Sequence, residues 1–132
     1  MRSLAIDDEF VALTKMTTLL RPLGPCDAAT SGKQAIEMCE EALKQGLPYK
    51  LITIDIGLPD MNGLALLVRI WKEEKKYNAE RATKLVVTAN STASNVLAAA
   101  TGECDGFLVK PVRRPVLFRK LSLLGLLPEG AV

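Results

Sequence analysis

Histidine is missing from all 132 residues of this chain. Its absence excludes Ser-His-Asp and Cys-His nucleophilic catalysis, an imidazole zinc site and a phosphohistidine carried on the chain itself. Cysteine is sparse and odd in number: Cys26, Cys39 and Cys104, with no CxxC pair. That usage argues against zinc ribbons and disulfide scaffolds and for buried free thiols in a reducing compartment. Neither sign of charge dominates, with 17 basic against 15 acidic residues. A nucleic-acid or membrane surface is therefore not expected. No long apolar run exists either. The most apolar stretch, Leu121 to Leu127, is far short of the roughly 20 residues that cross a bilayer. The N-terminus meets Asp7 and Asp8 too early to be a signal peptide. Hydrophobic residues at 48% and charged residues at 24% then describe a soluble domain, expected in the cytoplasm, with a core of its own.

Short apolar runs alternate with longer segments of helical periodicity. The runs are Ser3–Ile6, Cys26–Thr30, Leu51–Ile54, Lys84–Thr88 and Gly106–Val109. Between them, apolar residues recur at spacings of three and four. Leu13, Met16, Thr17 and Leu20 form the first such face, and Ile36, Cys39, Ala42 and Leu43 the second. Leu64, Leu67, Val68 and Trp71 form the third, Ala93, Val96, Leu97 and Ala100 the fourth, and Leu117, Leu121 and Leu124 the last. Five strands alternating with five helices predict an α/β fold, a doubly wound parallel sheet with helices on both faces. The expected domain spans residues 1–125, and residues 126–132 read as a tail or the start of a linker.

In such a sheet, ligands bind at the carboxyl ends of the strands. Those ends carry Asp7-Asp8-Glu9, Thr30-Ser31, Asp55, Thr88 and Lys110. Three convergent carboxylates repel, and the common remedy is a hard divalent cation held by oxygen, which suits magnesium. A metal, an ammonium and a hydroxyl around a carboxylate fit phosphoryl transfer, and a carboxylate can itself be the nucleophile. Each residue also has a plain explanation when taken alone. Asp8 would cap the first helix, Asp55 would sit in a turn before Gly57 and Pro59, and Lys110 would be a solvated lysine. Their joint placement at strand ends is what favours chemistry.

The residues around these positions are Ile6-Asp7-Asp8-Glu9, Asp55-Ile56-Gly57-Leu58-Pro59-Asp60-Met61-Asn62-Gly63, Val87-Thr88-Ala89 and Phe107-Leu108-Val109-Lys110-Pro111. In that order and at those strand ends, the chain resembles the receiver domain of two-component response regulators, of the chemotaxis-regulator type, over essentially its whole length. The resemblance implies a five-stranded flavodoxin-like (βα)5 fold with strand order 2-1-3-4-5. It implies Asp55 as phosphoacceptor, with Mg2+ bound by Asp8, Asp55 and the Gly57 carbonyl and by Asp7 through water. Thr88 and Lys110 would hold the phosphoryl oxygens, and Thr88 and Phe107 would form the switch that reshapes the surface of the fourth helix, fifth strand and fifth helix. It also implies a cis bond between Lys110 and Pro111. Asn62 stands where many members have Asp, and Phe107 where Tyr is frequent.

The implied function is signalling rather than enzymatic turnover. A histidine kinase or histidine phosphotransfer protein would donate the phosphoryl group, and a downstream protein would read the switch. Met1 directly before the first strand favours a true N-terminus. A stand-alone receiver is favoured, with the N-terminal receiver of a longer regulator as the alternative. A phosphatase with an aspartate nucleophile would want a second aspartate two residues on, where Gly57 stands. A flavin or dinucleotide carrier would want a glycine- or hydroxyl-rich loop after the first strand, where Asp7-Asp8-Glu9 would repel phosphates. Val116, Phe118 and Leu123 on the last helix suggest a surface for a partner or a phosphorylation-dependent homodimer, or one covered by the tail. Arg113 and Arg114 read as solvated charges rather than a nucleic-acid contact.

Overall fold

The computed structural model describes residues 1–89 and 104–127. Its elements run β1 (Ser3–Ile6), α1 (Phe10–Leu20), a 3-10 turn (Arg21–Leu23), β2 (Cys26–Ala29), α2 (Gly32–Lys44) and β3 (Leu51–Asp55). They continue with α3 (Gly63–Lys76), β4 (Thr83–Thr88), β5 (Gly106–Val109) and α4 (Arg114–Leu123). The five strands pair in parallel in the order β2-β1-β3-β4-β5. That is the doubly wound topology the alternation predicts. The expected helix over residues 93–100 lies outside the described residues.

β1 and β3 are buried along their whole length, as central strands covered on both faces must be. Side-chain alternation divides the core in two. Leu4, Ile6, Ile52, Ile54 and Val86 face α2 and α3, together with Leu66, Leu67 and Ile70. Ala5, Leu51, Leu85 and Val87 face the opposite side with Leu13, Met16 and Leu20 of α1 and Leu117 and Leu121 of α4. The α1 face is the one the periodicity predicts. In α3 the buried stripe is instead Leu66, Leu67, Ile70, Glu73 and Glu74. Leu64, Val68 and Trp71 are only half-buried. The helix is rotated because Lys84 of β4 draws Glu74 inward, into an ion pair of 2.6 Å. Phe118 is buried too, so it does not belong to the exposed surface expected on the last helix, which keeps only Val116 and Leu123.

The helix ends follow local chemistry. Ser31 caps α2 by accepting from Gln34 N at 3.1 Å, while the Gln34 side chain accepts from Thr30 N at 2.8 Å. Asn62 caps α3 through Leu64 N at 2.7 Å. Three helices close in Schellman motifs, with Gly46, Asn78 and Gly125 in the left-handed region. In the third of these, Gly125 N donates to Ser122 O and Leu126 N to Leu121 O. All three cysteines are free, and burial pushes the Cys39 thiol up to about 12. No helix among the described residues is long and apolar enough to cross a membrane.

Candidate functional site

Strand register assembles the site. Ile6 pairs with Ile54, so Asp7 and Asp55 leave adjacent strands side by side. Asp55 is itself in register with Val87, which places Thr88 one residue further along the neighbouring strand. Thr88 pairs with Val109 and its carbonyl accepts from Lys110 N at 2.8 Å, so Lys110 starts just above the same edge. Asp7, Asp8 and Asp55 each offer a carboxylate oxygen within 4.8 Å of the other two. Lys110 Nζ lies 2.9 Å from Asp7 Oδ2 and 3.7 Å from Asp55 Oδ1. The bond between Lys110 and Pro111 is cis.

Asp7 and Asp55 are buried whereas Asp8 is exposed. Burial raises the pKa of Asp55, and the charge of Asp7 adds to this. The Gly57 N–H at 3.2 Å and the Lys110 ammonium oppose it. For Lys110, burial alone would lower the pKa, but its hydrogen bond to Asp7 and the charges of Asp55, Asp7 and Glu9 outweigh that and raise it. Three carboxylates thus face one ammonium, an excess of two negative charges that a divalent cation would cancel. All donors are oxygen, which suits a hard ion.

Each residue expected at the site has a definite place. Asp7, Asp8, Asp55 and Lys110 converge. Thr88 ends β4 and is buried, and Gly57 lies in the turn after β3 with its N–H on Asp55. Phe107 sits on β5, packed at the margin of the α2/α3 core. Asp8 is not the cap of α1. Glu9 is the N-cap residue and makes no side-chain cap, while Glu9 N donates to Asp7 Oδ1 at 2.9 Å. Asp60 is a residue whose part sequence reasoning missed. Its two oxygens accept from Gly32 N and Lys33 N at 2.9 Å each, so it tethers the loop after Asp55 to the start of α2. Those bonds to the α2 amides lower its pKa.

Comparison with known proteins decides the family. The model of the response regulator receiver domain matches residues 4–122. The chain belongs to that family. It is a receiver domain of two-component signalling, the phosphoacceptor module of such systems. It is 31% identical over 125 residues to the transcriptional regulatory protein BasR of Escherichia coli, an alignment covering 94% of this chain and 52% of BasR. It is 29% identical over 112 residues to hybrid signal transduction histidine kinase L of Dictyostelium discoideum, covering 84% of this chain and 6% of that protein. The chain therefore spans about half the length of the first of these curated relatives and a small part of the second. Among solved structures, the receiver domain of the histidine kinase CKI1 from Arabidopsis thaliana, complexed with Mg2+ and BeF3-, superposes with a TM-score of 0.75 at 27% identity. That match covers 92% of this chain and 89% of the other.

Gly63 shows how tightly this receiver holds the loop after Asp55. A Cβ there would lie 2.8 Å from Ile56 Cα and 2.9 Å from Asp55 O, both backbone atoms that cannot swing aside. Gly63→Ala is expected to cost about 1–3 kcal/mol through overpacking, read as a lower urea midpoint with an unchanged m-value.

Proposed function

We propose that Asp55 accepts a phosphoryl group from a phosphohistidine on a histidine kinase or phosphotransfer protein. The observation that carries this reading is the convergence of Asp7, Asp8, Asp55 and Lys110 at one sheet edge, with Lys110 Nζ within 4 Å of both buried carboxylates. An Asp55 oxygen attacks phosphorus, an O–P bond forms, and the N–P bond breaks with its electron pair passing to the donor imidazole. Lys110 lies against the acceptor and neutralises charge on the transferring oxygens, and Thr88 at the end of β4 hydrogen-bonds one of them. Asp8, Asp55 and the Gly57 carbonyl would hold Mg2+ directly, with Asp7 acting through water. The ion supplies further charge neutralisation when bound.

On this reading the chain assists only its own phosphorylation and dephosphorylation. The receiver unit covers residues 1–125, with 126–132 as a tail or the start of a linker, and acts in the cytoplasm by protein contact. Thr88 and Phe107 switch the surface around β5 and α4, where Val109, Val116 and Leu123 are exposed. A hydroxyl–oxyanion bond available in only one arrangement is enough to bias such a switch. That exposed surface is the proposed contact for a downstream protein or a second phosphorylated copy.

Incubation with a small phosphodonor and Mg2+, followed by intact mass, tests the acceptor. The wild type should gain one base-labile phosphoryl group and Asp55→Asn none. An equal adduct on Asp55→Asn would overturn the assignment. Sedimentation with and without a phosphoryl mimic tests the homodimer, and a monomer in both states would remove it.

A further inference from the structure

The ends of β1, β3, β4 and β5 place Asp7, Asp55, Thr88 and Lys110 along one edge, whereas Thr30 and Ser31 at the end of β2 are taken up in capping α2. The start of α2 is joined to the site by another route. A helix leaves its first amides without intrahelical partners, and here Gly32 N and Lys33 N donate to Asp60, one to each carboxylate oxygen, at 2.9 Å. Such a bond pair is charge-assisted, and the helix dipole reinforces it. The next residue tightens the same contact. A Cβ on Gly32 would strike Met61 at Cγ and Sδ, so Met61 packs against α2 where only glycine leaves room. Gly57 lies between fixed neighbours. Gly63 N donates to Ile56 O at 3.2 Å on one side, and Leu58 is buried in the α2/α3 core on the other.

We propose that Asp60 is a positioning residue for the divalent ion: anchored on α2, it holds the loop so that the Gly57 peptide stays beside Asp55 in readiness. The inference rests on the reading of Asp8, Asp55 and the Gly57 carbonyl as Mg2+ ligands. A loop that contributes a ligand must lose its freedom when the ion binds, and one already fixed loses less. Groups that orient metal ligands from behind act in this way. Both oxygens of Asp60 are used, so an amide in its place would keep only one of the two bonds, since its NH2 cannot accept.

The test is an amide NMR titration with Mg2+ alone. The wild type should give saturable shifts at Asp7, Asp8, Asp55 and Gly57. Asp60→Ala should bind Mg2+ about 10-fold more weakly, and Asp60→Asn should fall between the two. Gly32→Ala disturbs the contact from the α2 side, with the carboxylate intact, and should also weaken binding. Should Asp60→Ala not fold, Asp60→Asn and Gly32→Ala carry the same comparison. Ile70→Val truncates the buried face of α3 and should lower the urea midpoint without changing the affinity, which separates positioning from stability. Reciprocity gives a second readout in the wild type: saturating Mg2+ should slow hydrogen exchange of the Gly32 and Lys33 amides by a similar factor. An unchanged affinity in the folded Asp60 variants, or exchange at those two amides that Mg2+ does not alter, would overturn the positioning role and leave the metal site standing. Shifts that never saturate in the wild type would overturn the metal reading and the inference with it.

Discussion

Glu74→Ala is expected to cost about 3–5 kcal/mol, because it strands a buried ammonium. Lys84 is wholly buried, and its Nζ is held by Glu74 Oε1 at 2.6 Å and by Ala82 O at 3.1 Å. The other Glu74 oxygen accepts from Ala82 N at 2.7 Å. One carboxylate therefore joins the end of α3 to the entry of β4, and its loss leaves a buried charge without its counter-ion and a backbone N–H without a partner. For a domain of this size the loss corresponds to roughly 10–20 °C in melting temperature. Replacing both partners at once, as Glu74→Leu with Lys84→Met, should be far milder than the single change, since apolar groups of similar volume often match a buried ion pair. It still orphans Ala82 N, which keeps the double variant about 1–3 kcal/mol below that ideal. Urea denaturation of the two singles and the double gives the coupling. Additive losses would show that the pair does not act as a unit.

That ion pair marks where sequence reasoning ran out. The strand ends were legible because parallel alternation fixes which residues share an edge, and Asp7, Asp55, Thr88 and Lys110 all follow apolar runs directly. The caps at Ser31 and Asn62 and the turn at Gly46 are local too, since their partners lie within a few residues. Lys84 and Glu74 looked like ordinary charges, one opening a strand and one inside the Lys72–Lys76 run. Periodicity assigned the α3 face to Trp71 and Leu64, because a count of apolar spacing cannot anticipate that two glutamates turn inward. Asp60 was opaque for another reason. Its partners, Gly32 N and Lys33 N, lie 28 and 27 residues away, and only the packed fold brings them together.

At the site itself, the largest effect short of removing the proposed acceptor, Asp55, is expected from Lys110→Ala. Lys110 is the cation that the structure places against both Asp7 and Asp55, and Asp55 already has its pKa raised by burial and by Asp7. Without the ammonium, charge accumulating on the transferring oxygens meets a more negative edge, and the rate should fall about 10²-fold, the usual order for removing one preorganised electrostatic partner. Lys110→Arg keeps the charge but changes the donor geometry, so it should recover only part of that rate. The pKa of Asp55 should rise further in Lys110→Ala. A carboxyl whose folded pKa lies above its unfolded value destabilises the fold once the pH exceeds the unfolded pKa, and that penalty is relieved as the pH falls through the folded value. Stability of Lys110→Ala relative to wild type should therefore improve on acidification. Initial rates of adduct formation by intact mass, with urea midpoints at acidic and neutral pH, read both effects. An unchanged rate in Lys110→Ala would remove the lysine from the transfer step, and a pH-independent stability difference would remove it as the counter-ion of Asp55.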